Sequence, residues 1–254
     1  MSLVCEAPDV NREVSFESGA SLSGLGASLL REGQPLAFAS RALTPAESRY
    51  AQIEKELLSL VFACERFDTY LYGRDVVHVK TDHQPLEAIF KKDLGSAPKR
   101  LQRMLLRLQR YNLDVKYQKR SLMVMSDPLS RAYLDEPPSQ TEFCNELEEI
   151  VLVEDLPISE ARLKEFKEGT ASDNILQILM SNVLEGWPKT LDEVPAEVKP
   201  YFQVRDEITA QNGLLFKGER LIVPAKLRND MMEKVHSSHL GIEGCLRQAR
   251  EMFY

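Results

Sequence analysis

Three acidic residues that lie far apart in the chain each occupy a setting that suits a hard divalent cation. Glu56 belongs to a segment with helical periodicity, Asp82 follows an apolar strand, and Asp127 precedes a proline that favours a helix start. Mg²⁺ binds a few carboxylates together with substrate phosphate. Two such ions about 3.5–4 Å apart can hold the attacking and leaving oxygens of a phosphodiester. A fold that uses these acids must bring the three segments together.

The hydrophobic pattern predicts a mixed α/β domain in the first half of the chain, with the element order β-β-β-α-β-α-α-β-α. Strands are predicted over residues 12–18, 24–32 and 35–42, and a later apolar strand ends at Asp82. Functional groups gather at such strand ends in α/β sheets. His83, the next residue, is interpreted as a turn residue, because an oxygen-ligated Mg²⁺ site has little use for imidazole.

A long helix is predicted to begin at a capping box. Thr44 and Glu47 have the capping-box spacing, and Pro45 stands at the first helical position. Glu56 lies at the border of the apolar stripe of this helix, where a side chain can point into a cleft beside the sheet. The stripe has helical spacing and consists of Ile53, Leu57, Leu60, Val61, Cys64 and Phe67.

Each acid also has an ordinary structural explanation when it is considered alone. Glu56 could be an exposed helix acid paired with Arg49 or Lys55. Asp127 suits a helix N-cap in front of Pro128 as well as it suits a metal ligand, and both roles can hold at once. The choice between these interpretations depends on the motifs that surround the acids.

Several blocks in a fixed order decide it: the three acidic segments, Gly24-Leu25-Gly26-Ala27, Ala37-Phe38-Ala39-Ser40-Arg41, Tyr70-Leu71-Tyr72-Gly73 and the run 97–111. With them, the sequence from about Glu13 to Tyr133 resembles the ribonuclease H domain of the pol polyprotein of gypsy-type LTR retrotransposons. The resemblance implies a ribonuclease H-like mixed sheet with flanking helices. It also implies an endonuclease that hydrolyses the RNA of an RNA–DNA hybrid with Mg²⁺ or Mn²⁺, and it gives Glu56, Asp82 and Asp127 as catalytic metal ligands.

One departure from the family pattern affects the predicted activity. The first catalytic Asp of the family opens a block of the form D-A-S-x-x-G-x-G-A, and counting back from Gly24 places it at Gly19. The alternation of residues before this position keeps the strand register. A metal ligand is therefore absent, and we expect catalysis to be impaired.

Glu17 is the nearest acid that could replace the missing ligand. It lies two residues before Gly19 on the same strand face, about 7 Å away at a rise of ~3.3 Å per residue. Metal ligation tolerates only small errors in distance. We therefore interpret Glu17 as a solvated acid at the start of the strand.

The run 97–111 carries five basic residues and no acid, and it has an apolar stripe of its own. Such a helix can follow a phosphate backbone without reading the sequence, although a charge run can also be a merely solvated face. The missing acids and the adjacent Lys91-Lys92 favour contact with nucleic acid. The predicted nucleic-acid-binding residues are Lys99, Arg100, Arg103, Arg107 and Arg110.

Composition agrees with an intracellular protein that binds nucleic acid through one part only. The 254 residues have a formal net charge of −7. Residues 1–135 contain 19 Lys and Arg against 17 Asp and Glu, and the remainder contains 13 against 22, so nucleic-acid contact is predicted in the first half. The four cysteines have no framework spacing, and neither a signal peptide nor a membrane-spanning run is found. We expect a cytoplasmic or nuclear protein without membrane contact.

Three regions are predicted. Residues 10–134 form the ribonuclease H-like domain, and residues 135–204 form an acidic, partly helical linker in which 159–184 is helical. Residues 205–254 resemble the start of the zinc-binding N-terminal domain of a gypsy-type integrase, which implies that His236 and His239 are zinc ligands. That family completes its tetrahedral site with a later Cys-x-x-Cys pair, which this sequence lacks, so we expect little or no Zn²⁺ binding.

Two hypotheses of different class remain. The chain is either a retrotransposon nuclease fragment or a degenerate or host-retained remnant that keeps the fold and nucleic-acid binding without the chemistry. Gly19 favours the second hypothesis. Protein partners and the role of the acidic linker are not indicated by the sequence.

Overall fold

The computed structural model describes residues 12–91, 97–123, 125–132, 159–237 and 253–254. The described residues form two compact units. Residues 12–48, 53–91 and 101–132 belong to the first unit. The second unit contains 159–237 and 253–254, together with the short segments 49–52 and 97–100.

The first unit is built on a five-stranded mixed sheet with the strand order β3-β2-β1-β4-β5. Strands β1, β2 and β3 form an antiparallel meander, whereas β4 pairs in parallel with both β1 and β5. The bounds are β1 Val14–Ala20, β2 Gly24–Arg31, β3 Gln34–Ala42, β4 Val77–Thr81 and β5 Leu113–Tyr117. Every residue of β2 is buried, which means that both faces of this strand are covered.

Five α-helices accompany these strands in the described residues up to 132. They are α1 Gln52–Arg66, α2 Asp68–Leu71, α3 Gln84–Ile89, α4 Lys99–Leu108 and α5 Ser126–Arg131. The predicted order of strands and helices is confirmed, with α2 as an additional short helix. Most of α1 is buried, including its polar residues Glu54, Lys55, Glu56 and Ser59.

The capping box forms as predicted, but the long helix begins later than predicted. The hydroxyl of Thr44 accepts the backbone N–H of Glu47 at 3.1 Å, and the Glu47 carboxylate accepts the N–H of Thr44 at 2.8 Å. Arg41 donates to both oxygens of that carboxylate at 2.7 and 2.8 Å. The box therefore closes a short 3₁₀ turn over Glu47–Arg49, and α1 begins at Gln52.

The second unit combines helices with a small antiparallel sheet. Its helices are α6 Glu160–Ser172, α7 Asn174–Glu185, α8 Lys199–Phe202 and α9 Arg228–Ser237. Its three-stranded sheet has the order β6-β7-β8, with β6 Ile208–Gln211, β7 Leu214–Lys217 and β8 Arg220–Leu221. The predicted helical stretch 159–184 is two helices, because the Asp173 carboxylate accepts the N–H groups of Ile175 and Leu176 and starts a new helix.

An apolar cluster shared by α6 and the small sheet forms the core of the second unit. Phe166 of α6 packs with Phe216 of β7, and both are fully buried. The cluster also contains Leu214, Leu221 and Val223. The predicted boundary at residue 204 thus falls inside this unit, and the predicted linker helices contribute to a folded body. No helix among the described residues is long and apolar enough to cross a membrane.

Candidate metal and nucleic-acid site

The carboxylate of Glu56 lies beside the end of β1. Its side chain is 3% exposed, and its Oε2 accepts the backbone N–H of Ala20 at 3.1 Å. Ala20 is the last residue of β1 and directly follows Gly19. The carboxylate of α1 is therefore held beside the strand position at which the family carries its first aspartate.

Charge around Glu56 is partly balanced by its neighbour in the helix. Lys55 is buried, and this burial lowers its pKa, whereas the charges of Glu54 and Glu56 act in the opposite direction. The sequence alternative, an exposed Glu56 paired with basic neighbours, is wrong because Glu56 is buried at the strand end.

Asp82 reaches the same edge of the sheet through the parallel pairing of β1 and β4. Ser15, Phe16 and Glu17 of β1 stand opposite His78, Val79 and Lys80 of β4. Continued for two residues, this register sets Gly19 opposite Asp82. Asp82 is half-buried and directly follows the last residue of β4, as predicted.

The third element at this edge is the beginning of α5. A Cβ atom added to Gly19 would lie 3.7 Å from Ser126 Oγ and 3.9 Å from Ser126 Cβ, which is ordinary van der Waals contact. Asp127 is the next residue of α5, and its side chain lies outside the part that the structure describes. The ends of β1 and β4, the middle of α1 and the start of α5 thus converge on Gly19.

The residues present fit a divalent cation only in part. Glu56, Asp82 and Asp127 offer the oxygen donors that Mg²⁺ and Mn²⁺ take, but the central position carries no side chain. Among the described residues no group of three His, Cys, Asp or Glu side chains is placed to hold a metal ion.

Glu17 is buried, so its interpretation as a solvated acid is wrong. Its residue is 6% exposed, and its Oε2 is buried without a hydrogen-bond partner among the described residues. Burial raises the pKa of this carboxyl group, and the opposite charge of Lys80 and the backbone N–H of Met125 act against the rise. Met125 directly precedes α5, which explains why a strand residue with a polar side chain is covered.

The basic residues of α4 and of the turn after it, which contains Arg110, meet acids that belong to other helices. Arg107 donates to Glu65 at 2.8 Å, and Arg110 pairs with Asp68 at 3.2 Å. The sequence of α4 contains no acid, as expected. In the fold, however, acids from other helices lie beside its basic residues. These pairs are partly exposed, and exposed ion pairs contribute little to stability, so phosphate could displace them.

The basic residues of α4 also differ in exposure. Arg100 is 7% exposed, and its guanidinium lies 4.1 Å from the centre of the Tyr50 ring. Arg103 is exposed. Lys99 is paired with Glu219 at 3.4 Å within the second unit. Arg103 is thus a better candidate for phosphate contact than Arg100.

The proposed zinc ligands are only partly described. His236 lies in α9, with a side chain outside the description, and His239 falls among the residues that the structure does not describe. The prediction of a zinc site is therefore untested.

Two residues that sequence reasoning did not single out contact α5. The hydroxyl of Ser21 donates to the carbonyl of Ser130 at 2.7 Å, and Gly26 allows the backbone of α5 to approach β2. A signal was present, because both residues belong to the block that follows Gly19. Their partners, more than 100 residues later in the chain, could not be read from it.

Comparison with known proteins identifies a related domain in the first half of the chain. Residues 9–111 match a family model described as the RNase H-like domain found in reverse transcriptase. The chain therefore contains an RNase H-like domain of this kind.

Curated relatives include the retrovirus-related Pol polyproteins from transposons 297 and gypsy of Drosophila melanogaster. They are 36% and 33% identical over 134 residues and cover 52% of this chain. The chain spans only 12% and 13% of their length. The Tf2-3 polyprotein of Schizosaccharomyces pombe is 23% identical over 248 residues, covering 92% of this chain and 17% of that polyprotein.

Solved structures similar to this chain include the foamy viral protease-reverse transcriptase in complex with RNA/DNA hybrid, with a TM-score of 0.38 and 17% identity over 52% of this chain and 18% of that chain. The RNase H1 of Halobacterium salinarum has a TM-score of 0.36 and 18% identity over 46% of this chain and 92% of that chain.

Proposed function

We propose that this chain carries a retrotransposon-type ribonuclease H whose cleavage of RNA–DNA hybrids is impaired or lost, and which retains the ability to bind the hybrid. The observation that carries the proposal is the convergence of β1, β4, α1 and α5 on Gly19. The sequence contains three carboxylates that the family uses, Glu56, Asp82 and Asp127. Gly19, the position at which the elements that carry them converge, has no side chain.

Glu56, Asp82 and Asp127 would hold the cation, which supplies an activated water and charge stabilisation for phosphodiester hydrolysis. In this chain Glu56 is fixed by the N–H of Ala20, and Asp82 is fixed by the end of β4. A carboxylate at position 19 would act together with these three acids. Loss of one member of such a set costs orders of magnitude in rate, because the others cannot position the ions alone.

The direct test is an assay of a labelled RNA–DNA hybrid in Mg²⁺ and in Mn²⁺. We expect little or no cleavage by the purified chain. The matched control is Asp82→Asn, which should not change a signal that is already at background. Robust turnover that Asp82→Asn abolishes would contradict the proposal.

The proposed binding of an RNA–DNA hybrid does not require cleavage. Arg107 of α4 contacts Glu65 of α1. Glu65 is nine residues from Glu56 along α1, which is about 13 Å at the rise of an α-helix. A hybrid bound at the acidic edge could therefore extend along α4. Its affinity should fall as salt rises.

We also propose that the region from residue 205 corresponds to the start of an integrase zinc-binding domain. The alignment with the Tf2-3 polyprotein, which continues far beyond residue 134, supports a polyprotein order. Two imidazoles leave a zinc coordination shell half open. Titration with Zn²⁺ should give weak or no binding, and tight binding lost in His236→Ala would contradict this expectation.

A further inference from the structure

The helix that carries Asp127 is too short to keep its own geometry. Helix α5 has six residues, whereas isolated helices shorter than about 12–15 residues are marginal in water. Its N-cap residue, Met125, makes no side-chain capping hydrogen bond. The position of Asp127 therefore depends on the contacts that hold α5 against the sheet.

The middle of α5 lies directly on the backbone of β2. A Cβ atom at Gly26 would lie 2.4 Å from the backbone nitrogen of Ser130 and 2.5 Å from the carbonyl oxygen of Ser126. Gly26 is also the residue that pairs with Gly19 across β1 and β2. Backbone contact sets how near α5 comes to the sheet, but it does not fix the helix along or around its axis.

Ser21 supplies a directional contact between α5 and the strand end. Its Oγ lies 2.7 Å from the carbonyl oxygen of Ser130 and 3.1 Å from that of Gly24, and it accepts the N–H of Gly24 at 2.9 Å. The carbonyl of Ser130 is one of the last four in α5, which have no acceptor role within the helix. One hydroxyl thus joins the turn that follows Gly19 to the end of α5.

We propose that Ser21 is a positioning residue of the metal site, because its hydroxyl fixes α5, and with it Asp127, relative to position 19 and Asp82. The inference rests on the proposed function, since it assumes that these acids hold a cation. Metal ligation requires distances within about 0.2 Å, and a six-residue helix released at one end can move by more than that. Ser21 touches neither substrate nor metal and acts through α5.

The first test uses the Gly19→Asp protein, in which all four acids are present. Adding Ser21→Ala should raise the Mn²⁺ concentration for half-maximal thermal stabilisation roughly ten- to a hundredfold, the usual effect of removing a group that orients a ligand. Melting without metal should change little. Ser21→Thr keeps the hydroxyl and should restore the response. Ser23→Ala removes an exposed hydroxyl from the same turn and is the matched control.

The second test uses the natural sequence and no metal. Ser21→Ala should speed amide hydrogen exchange in α5 about fivefold, the effect expected for one net hydrogen bond, and leave α1 unchanged. Unchanged exchange in α5 would overturn the inference. Faster exchange together with an unchanged Mn²⁺ response would overturn it too, because Ser21 would then be only structural.

Failure of the proposed function gives a different result. A Gly19→Asp protein that shows no response to Mn²⁺ in either Ser21 background contradicts the metal site itself. The exchange experiment then decides alone whether Ser21 holds α5, with faster exchange supporting the contact and unchanged exchange overturning it.

Discussion

The two compact units differ in what they bury. The first unit buries charged side chains at several places, namely Glu17, Arg31, Glu47, Glu54, Lys55, Glu56 and Arg74. In the second unit the buried polar residues among those described are Thr170, Thr209 and a single charged one, Arg100, and the core is an apolar cluster around Phe166 and Phe216.

Burying a charge is costly unless it is paired or hydrogen-bonded. In the first unit the cost is offset at particular points, as when Arg41 binds Glu47 with two hydrogen bonds and Ala20 donates to Glu56. Sequences that break the rule of an apolar interior often do so at functional sites. The difference indicates that the first unit is organised to place polar groups, whereas packing dominates in the second.

The largest expected effect tests whether the polar organisation of the first unit is still competent. Gly19→Asp should restore divalent-ion-dependent cleavage of a hybrid by orders of magnitude over the natural sequence. The space exists, because the nearest atoms to an added Cβ are 3.7 Å away. The added carboxylate also repels its neighbours without a cation, so Mg²⁺ or Mn²⁺ should raise the melting temperature of the variant more than that of the parent.

The matched control is Gly19→Asn, which has the same size but no charge and should show neither cleavage nor metal-dependent stabilisation. A Gly19→Asp protein that folds and behaves like Gly19→Asn would mean that the site has decayed elsewhere, or that the alignment of Gly19 with the catalytic Asp is wrong.

The apolar side of the comparison predicts a purely structural effect. Phe166→Ala removes a fully buried ring from the core of the second unit and should cost about 3–5 kcal/mol in the free energy of unfolding. The only tryptophan, Trp187, lies in this unit, so denaturant unfolding followed by tryptophan fluorescence reports it. Met232→Ala, at a side chain that is 60% exposed in the same unit, is the control. Equal effects of the two changes would contradict the assigned core.

Local patterns predicted most of the first unit. The strand alternation, the apolar strand before Asp82 and the period of α4 depend on neighbouring residues, and the structure confirms them. The predicted start of α1 was wrong, because Arg41 holds Glu47 in a separate turn. That contact joins a strand to the capping box and could not be read from helix propensity.

Contacts between distant segments explain what was missed at the site. Glu17 was taken as solvated because α5, which begins more than 100 residues later, covers that strand face. The same holds for the acids that meet Arg107 and Arg110, since Glu65 and Asp68 belong to another part of the chain. The helix that carries Glu56 and the strand that ends before Asp82 were predicted correctly, because neighbouring residues suffice to locate these elements.

Charge on the surface of the two units should have unequal consequences for binding. Replacing Lys99, Arg103, Arg107 and Arg110 with Gln should remove most of the affinity for a hybrid. Each lost phosphate contact lowers the slope of log affinity against log salt by about 0.9. Four contacts correspond to roughly a hundredfold change in affinity between low and moderate salt. Gel shifts over a salt series measure this.

Lys164→Gln with Lys167→Gln removes exposed charge from α6 in the second unit and is the control. It should leave both the affinity and the salt slope unchanged. Equal losses per charge removed in the two sets would show that hybrid binding follows net charge and not the position of the basic residues.

The smallest expected effect concerns the buried carboxyl group of Glu17. Its pKa is raised by burial, so the folded chain holds this proton more tightly than the unfolded chain does. The contribution of Glu17 to the free energy of unfolding is therefore most favourable below its ordinary pKa of 4.5. This contribution is lost as pH rises through the raised pKa of the folded state. The side chain that Glu17→Gln introduces does not ionise. As pH rises, the free energy of unfolding of the variant should therefore increase relative to that of the parent, by on the order of 1 kcal/mol.

Urea unfolding followed by circular dichroism, between about pH 4 and about pH 8, measures this difference. Glu185→Gln, at an exposed acid of the second unit, is the control. If Glu17→Gln is instead less stable than the parent at high pH, the ionised carboxylate contributes more through Lys80 and the N–H of Met125 than burial costs it. Glu17 would then belong with Glu47 and Glu56, whose negative charge the first unit is built to hold.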